Sequence, residues 1–331
     1  MKNSTTLLRF TVIFLLMVSA QLAFGQIEPQ YNLYRLNPQV YNPMTAGSRG
    51  DTSEVFVMYR QQWLGIQGAP QTFFFNGNFK WKERRGIGVN AMLDQLGPVK
   101  MTSFSGDFAY HTRLTDKWSL SGGIRLGLAN VALNFTGLAL TNQGDPLFSA
   151  DRSTGLKFNT GWGVKISKQD GFFLSFAMPR IIKYDFGELS GGYKDATYMY
   201  TMLGTKIELT DDLTLYPNAM ARIATDVPLS WDVQLMANLR GKLDAGLNYR
   251  HQESIGIRLG LQASKRFYLG YVYEMPTGEV SKISNQTHEF ALRFFILKDK
   301  SQRTTPQDND PQRGPRQAPK VQSTLKEIQP R

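Results

Sequence analysis

The feature that most constrains this chain is an alternation of apolar and polar residues, period two, that recurs from residue 54 to residue 298. Successive side chains of a strand point to opposite faces, so such a run carries one apolar side and one polar side. In Leu243-Asp-Ala-Gly-Leu-Asn-Tyr-Arg250, the set Leu243, Ala245, Leu247 and Tyr249 opposes Asp244, Gly246, Asn248 and Arg250. Ile255, Ile257, Leu259 and Leu261 oppose Gly256, Arg258, Gly260 and Gln262. Trp231, Val233, Leu235, Ala237 and Leu239 oppose Asp232, Gln234, Asn238 and Arg240. Trp118, Leu120, Ile124, Leu126 and Leu128 stand against Ser119, Ser121, Arg125 and Gly127, and Phe158, Trp162, Val164 and Ile166 against Lys157, Asn159, Gly161 and Lys165.

A soluble β-sandwich alternates as well, so the choice rests on two further observations. The polar face carries full charges in mid-strand, with glycines that leave room for them, which suits the wet interior of a membrane barrel whose apolar face meets lipid. Connection lengths also alternate. The pattern predicts about fourteen strands, at 54–63, 71–80, 86–94, 101–112, 117–128, 157–167, 171–178, 198–209, 213–223, 230–240, 243–250, 254–264, 267–274 and 288–298. Connections after even-numbered strands are tight, whereas the long ones, 129–156, 179–197 and 275–287, follow odd-numbered strands. The other odd connections are of middling length, apart from the short 251–253. Short periplasmic turns and long external loops are the asymmetry of outer-membrane barrels. The expected fold is therefore an all-β, transmembrane antiparallel barrel in the outer membrane, in contact with its lipid.

Composition supports β structure: 30 glycines and 12% aromatic residues accompany 41% hydrophobic and 20% charged residues. The absence of cysteine excludes disulfides and thiolate metal sites. The net charge of +11 raises nucleic acid as a partner, but the cations are scattered and no nucleic-acid motif accompanies them, so none is expected. Residues 1–25 read as a secretory signal peptide: Lys2 and Arg9 precede an apolar core from Phe10 to Val18, and Ala23-Phe24-Gly25 is a small-x-small cleavage site. That core is shorter than the roughly 20 residues of a spanning helix. Residues 299–331, rich in Pro, Gln, Lys and Arg, read as a flexible basic tail, where Ser323 and Lys326 share a nucleophile spacing by chance.

Between the signal peptide and the barrel, residues 26–53 hold two Asn-Pro pairs, Asn37-Pro38 and Asn42-Pro43, with Tyr41, Ala46 and Gly47 close by. Asn-Pro favours turns and an extended residue before proline. Gln62-Trp63 follows the first strand, then Gly68-Ala69-Pro70-Gln71-Thr72, and Asp94 to Pro98 leads into a later outward loop. Ordinary turn chemistry explains each piece singly but not the set. Together they resemble the signature of the PorP/SprF family, specifically from Gln30 to about Tyr110 and as barrel pattern alone beyond it. Met44 stands where many members carry alanine. The resemblance implies a non-enzymatic barrel of the type IX secretion system. Its partners would be secretion components or a secreted surface protein, whose export or surface retention the barrel supports. The Asn-Pro segment would plug the lumen, bind a periplasmic component, or simply lead into the first strand.

No nucleotide-binding, zinc-protease or serine-hydrolase motif is present, and no cofactor is expected. His111, His251 and His288 read as isolated. Asp107, Glu208, Asp232, Asp244 and Glu289 are expected on the inner face, paired with Arg125, Arg222, Arg240, Arg258 and Arg293, because charges facing a narrow lumen need partners. A carboxylate pair would otherwise serve a barrel enzyme. The alternative function is a porin-type diffusion channel, for which charged inner faces are also suited.

Overall fold

The computed structural model describes residues 29–48, 52–134, 151–184, 195–225 and 227–296. The alternating runs pair in chain order into one closed antiparallel sheet. Its strands are β1 (Ser53–Gln61), β2 (Gln71–Lys82), β3 (Arg85–Leu96), β4 (Val99–Arg113), β5 (Trp118–Leu133), β6 (Arg152–Ser153), β7 (Lys157–Lys168) and β8 (Phe173–Met178). The second half comprises β9 (Met199–Gly204), β10 (Ile207–Glu208), β11 (Leu213–Ala224), β12 (Val227–Leu239), β13 (Leu243–Arg250), β14 (Ser254–Gln262), β15 (Phe267–Pro276) and β16 (Thr287–Ile296). The two-residue pieces are extensions. β10 continues β9 along β11 in one register, and β6 prolongs the β7 side of β5. The wall thus has fourteen staves, as the alternation predicts. β1 closes it against β16, with Ser53 opposite Ile296 and Gln61 opposite His288. Closure pairs the first stave with the last, so the wall has no open end strand, as a sheet in hydrocarbon requires.

The faces divide as the sequence indicates. Leu235, Leu247, Leu259 and Phe104 point outward and are exposed, while Asn248, Arg258 and Asp232 point inward and are buried. Aromatic pairs sit near the strand ends: Trp81 with Phe108 and Trp118 with Phe172 at one rim, Trp231 with Tyr249 at the other. This is where amphipathic rings meet the membrane interface.

At one rim every connection spans two to four residues, from 83–84 through 263–266. The opposite rim bears the long connections and the short 251–253, as expected, but two links expected to be of middling length are tight. β3 and β4 run on to Leu96 and Val99, which face each other across Gly97-Pro98. β11 and β12 continue, past a bulge, until Ala224 faces Val227. Strand pairing persists beyond the zone where lipid enforces alternation, so the sequence pattern stops short of the strand ends. The expected signal peptide, the tail, and most of loops 129–156 and 179–197 lie outside the described residues.

One expectation needs correction. The lumen is not simply wet. Tyr31, Leu33, Tyr34, Leu36 and Tyr41 form an apolar core with Phe56, Met58, Phe74, Met202, Tyr268 and Val272 of the inner wall. The molecule buries its hydrophobic core inside the barrel because a segment of its own chain fills it.

Candidate functional site

That segment is built from three 3₁₀ turns, Asn32–Arg35, Pro38–Val40 and Pro43–Thr45. The two Asn-Pro pairs set the last two. Proline disfavours helical geometry in the residue before it and supplies a fixed φ to the first position of a turn. Asn42 is accordingly extended (φ −138°, ψ 108°), and its Oδ1 accepts a hydrogen bond from the Met44 N–H at 3.1 Å. The Thr45 hydroxyl donates to the Asn42 carbonyl at 2.8 Å. Tyr41 lies with its ring 4.5 Å from that of Tyr200, and its hydroxyl oxygen accepts from the Tyr31 N–H at 2.8 Å. Asn37 is buried and accepts at its carbonyl from Val40 N–H at 3.4 Å.

Three groups of wall residues hold this plug. The first lies toward the long-loop rim, at the ends of β1, β13, β15 and β16. The Glu289 carboxylate accepts from the Asn32 N–H (2.9 and 3.0 Å) and the Leu33 N–H (3.1 Å), so it caps the first turn with a charge. The Asn32 amide donates to Glu274 at 2.6 Å, and its Oδ1 accepts from Arg250 and Asn248, both at 3.0 Å. Arg60 bridges Glu274 (2.9 Å) and Glu289. Nearby, the Tyr34 hydroxyl donates to Asp232 at 2.7 Å and Gln234 donates to the Asn32 carbonyl at 2.9 Å. In a buried site each such bond counts for more than in water, and each missing partner costs more.

The second group is at mid-barrel. Arg125 makes a two-point pair with Asp107 (2.7 and 2.9 Å) and also donates to the carbonyls of Gln39 (2.6 Å) and Val40 (3.1 Å). The Gln39 amide donates to Asp107 at 2.9 Å. The third lies toward the short-turn rim, where Asn78 accepts from the Gly47 N–H (2.7 Å) and donates to the Thr45 carbonyl (3.1 Å), with His111 Nε2 2.8 Å from the Ala46 carbonyl. Here plug and wall touch through backbone. A Cβ on Gly86 would stand 2.1 Å from the Ala46 carbonyl oxygen, and Gly47 turns at φ +67° against the same strand.

The signature residues therefore fall in two places. Asn37, Pro38, Tyr41, Asn42, Pro43, Ala46 and Gly47 belong to the plug. Gln62, Trp63, Gly68, Pro70, Gln71 and Thr72 build the long-loop rim instead. Gln62 N–H donates to the Pro70 carbonyl (2.9 Å), Trp63 N–H to the Thr287 hydroxyl (3.3 Å), and Gly97 N–H to the Gly68 carbonyl (2.9 Å). Gln71 faces Gln61 and Gln95 in the ladder, and Thr72 donates to Asp94 at 2.5 Å.

Asp107 pairs with Arg125 as expected, and Asp232, Asp244 and Glu289 hydrogen-bond elsewhere. Glu289 goes to Arg60 and the plug, Asp232 to Tyr34, Asp244 to Tyr268 and Asn238, Arg258 to Gln234, and Arg293 to Glu54 at 3.3 Å. Arg222 lies over the Tyr198 ring. Glu208 and Arg240 are not inside. They sit exposed at the short-turn rim beside Lys206 and Asp212. Sequence reasoning missed Asn32, Gln39, Arg60, Arg250 and Glu274 as members of the site. Their only local signal was their place on the polar face or beside the Asn-Pro pairs.

A family model described as type IX secretion system membrane protein PorP/SprF matches residues 23–294. The chain belongs to this family. No curated protein matches its sequence. Among solved structures, the chain is similar to the Ralstonia pickettii toluene transporter TbuX, at 11% identity and a TM-score of 0.50, over 78% of this chain and 93% of that one. It is also similar to the CymD monoaromatic hydrocarbon channel, at 11% identity and a TM-score of 0.51, over 83% and 95% of the two chains. Such likeness is one of fold, and it agrees with the closed fourteen-stave wall: this PorP/SprF member is an outer-membrane β-barrel.

Proposed function

We propose that this PorP/SprF barrel serves type IX secretion as a non-enzymatic outer-membrane platform that supports export or surface anchoring of a partner protein. The observation that carries the reading is the plug. Residues 29–48 occupy the lumen and bond to the wall at three levels, from Glu289 through Asp107 to Asn78. A lumen filled in this way disfavours the alternative of a diffusion channel. It leaves the two rims as the surfaces on which partners act, and recognition commonly rests on loops held by a rigid scaffold. On this reading the partners are secretion components or a secreted surface protein.

Deleting the gene in its source organism and comparing the secreted and surface proteomes with the parent tests the proposal. Loss of one large surface protein identifies a dedicated anchoring partner, and loss of many secreted proteins together identifies a part of the general apparatus. An unchanged proteome overturns the reading, and a steady open pore of the intact protein in a planar bilayer would then establish the channel.

A further inference from the structure

Two apolar grooves of similar size, about 740 and 720 Å³, run across the lipid-facing wall. The first crosses β13 to β16 and β1, between the exposed side chains of Leu243, Leu261, Leu269 and Leu292, with the small Ala245 among them. The Asp244 carboxylate, the one acid along this lining, is turned inward, where Asn238 (2.6 Å) and Tyr268 donate to it. The second crosses β9 to β14 among Leu203, Val233, Leu235, Leu247 and Ile255. What separates the two is the charge at their short-turn ends. The first groove begins at Leu243 and Leu261, which face each other across β13 and β14 beside the turns 240–242 and 263–266. These turns are neighbours, since the Gln262 N–H donates to the Lys242 carbonyl at 2.7 Å. They hold four cations and no acid. Arg240 pairs with Asp212 at 3.0 Å. Lys242, Lys265 and Arg266 are exposed, and their side chains have no hydrogen bond or ion pair among the described residues. At the second groove the corresponding end is marked by Phe172 and Thr205, and the cations beside it are already paired, Lys168 with Asp170 and Lys206 with Glu208.

Short turns face the periplasm in barrels of this kind, so this end of the groove lies at the headgroups of the periplasmic leaflet. The exposed Phe267, its ring 5.1 Å from that of Phe294, marks the interface there. Residues 298–331 carry eight Lys and Arg against four Asp and Glu, so the region after β16 brings no net negative charge to the three cations. Lys and Arg at a membrane surface attract anionic headgroups. We propose that the first groove binds one anionic phospholipid of the periplasmic leaflet. An acyl chain lies along Ala245 and Leu269, and the phosphate is held by Lys242, Lys265 and Arg266. A zwitterionic headgroup brings its own cation, which these three repel, so net negative charge is selected. The second groove, with its cations neutralised, takes membrane lipid without regard to charge.

The test uses the full-length barrel in a non-ionic detergent and follows retained lipid by native mass spectrometry. Dioleoylphosphatidylglycerol, dioleoylphosphatidylcholine and free glycerol phosphate are added in turn at equal concentration. A single phosphatidylglycerol should be retained about tenfold or more over phosphatidylcholine, the scale of two or three cations acting on one headgroup. Glycerol phosphate, which has no chain for the groove, should be lost. The variant Lys242→Gln, Lys265→Gln, Arg266→Gln should retain the two lipids equally. Ala245→Trp, which fills the groove and keeps the cations, should retain less phosphatidylglycerol than the parent. Lys82→Gln, Arg85→Gln removes exposed cations of the β2–β3 turn, away from the groove, and should keep the parental preference. Should the triple variant fail to show the heat-modifiable migration of a folded barrel, Lys265→Gln alone carries the same expectation at a few-fold loss. Equal retention of the two lipids by the parent, or glycerol phosphate held as well as phosphatidylglycerol, overturns the proposal. So does the parental preference in the folded groove variants, or its loss in the Lys82, Arg85 variant.

Discussion

Leu247 and Asn32 stand at opposite extremes of how this molecule uses its residues. Leu247 projects from β13 into lipid, 60% exposed in the isolated chain, and what matters there is only that the side chain is apolar. Asn32 is 1% exposed, and its backbone and amide together meet Glu289, Glu274, Gln234, Asn248 and Arg250. The outer wall is specified by a pattern that many sequences satisfy. The plug is specified by individual polar atoms, each with its own partner across the lumen. Injury to the wall should therefore lower the stability of the barrel as a whole, while injury to the plug contacts should open the lumen and leave the barrel standing.

The largest effect is expected at Glu289. Its removal deprives Arg60 of one of its two carboxylates and leaves the Asn32 and Leu33 N–H groups without their acceptor. Breaking a buried charged pair from one side costs about 3–5 kcal/mol. Glu289→Ala should release the plug: residues 29–48 become cleavable by protease, and planar bilayers show steady conductance where the parent is silent. A silent variant with a protected plug would mean that Asp107, Arg125 and Asn78 suffice to hold it.

The next effect tests the wall. Leu247→Arg places a charge near the middle of β13 on the lipid face, where the cost is about 2–4 kcal/mol at the bilayer midplane. Its expected signature is a lower urea midpoint for folding into vesicles, with no conductance in the molecules that do fold. If Leu247→Arg conducts as Glu289→Ala does, wall and plug are one cooperative unit.

This contrast also explains what could be read in the sequence. Lipid on one side and water or polar atoms on the other force period two on every stave, so the wall was legible, down to the bounds of β13 at Leu243 and Arg250. Legibility stopped where that force stops. Gln95 and Lys100 still pair across β3 and β4 beyond the region of clear alternation, which hid the tight Gly97-Pro98 link. Face parity also fails at turns, which is why the alternation alone puts Glu208 and Arg240 inside, whereas they sit at the rim. The Asn-Pro pairs announced turns but not their location, because the contacts that place the plug join residues as far apart as Asn32 and Glu289. No local pattern records such a pairing. Arg60 and Glu274 share the polar face with many residues, and only the closed register shows that they converge.

The smallest effect is expected where plug and wall meet without charge, and it asks whether shape alone contributes to plug retention. At Gly86 an added methyl would meet the Ala46 carbonyl oxygen at 2.1 Å and the Gly47 Cα at 2.5 Å, all of it backbone that cannot rotate away. Overpacking of this kind costs about 1–3 kcal/mol. The charged groups at Glu289 and Asp107 remain, so Gly86→Ala should loosen only the Thr45–Gly47 end of the plug. Limited proteolysis should then cut near Gly47 before it cuts near Asn32, and conductance should be brief and flickering instead of steady. Cleavage first near Asn32 would show that the plug moves as one body, so that its polar contacts at one end and its backbone contacts at the other are not independent.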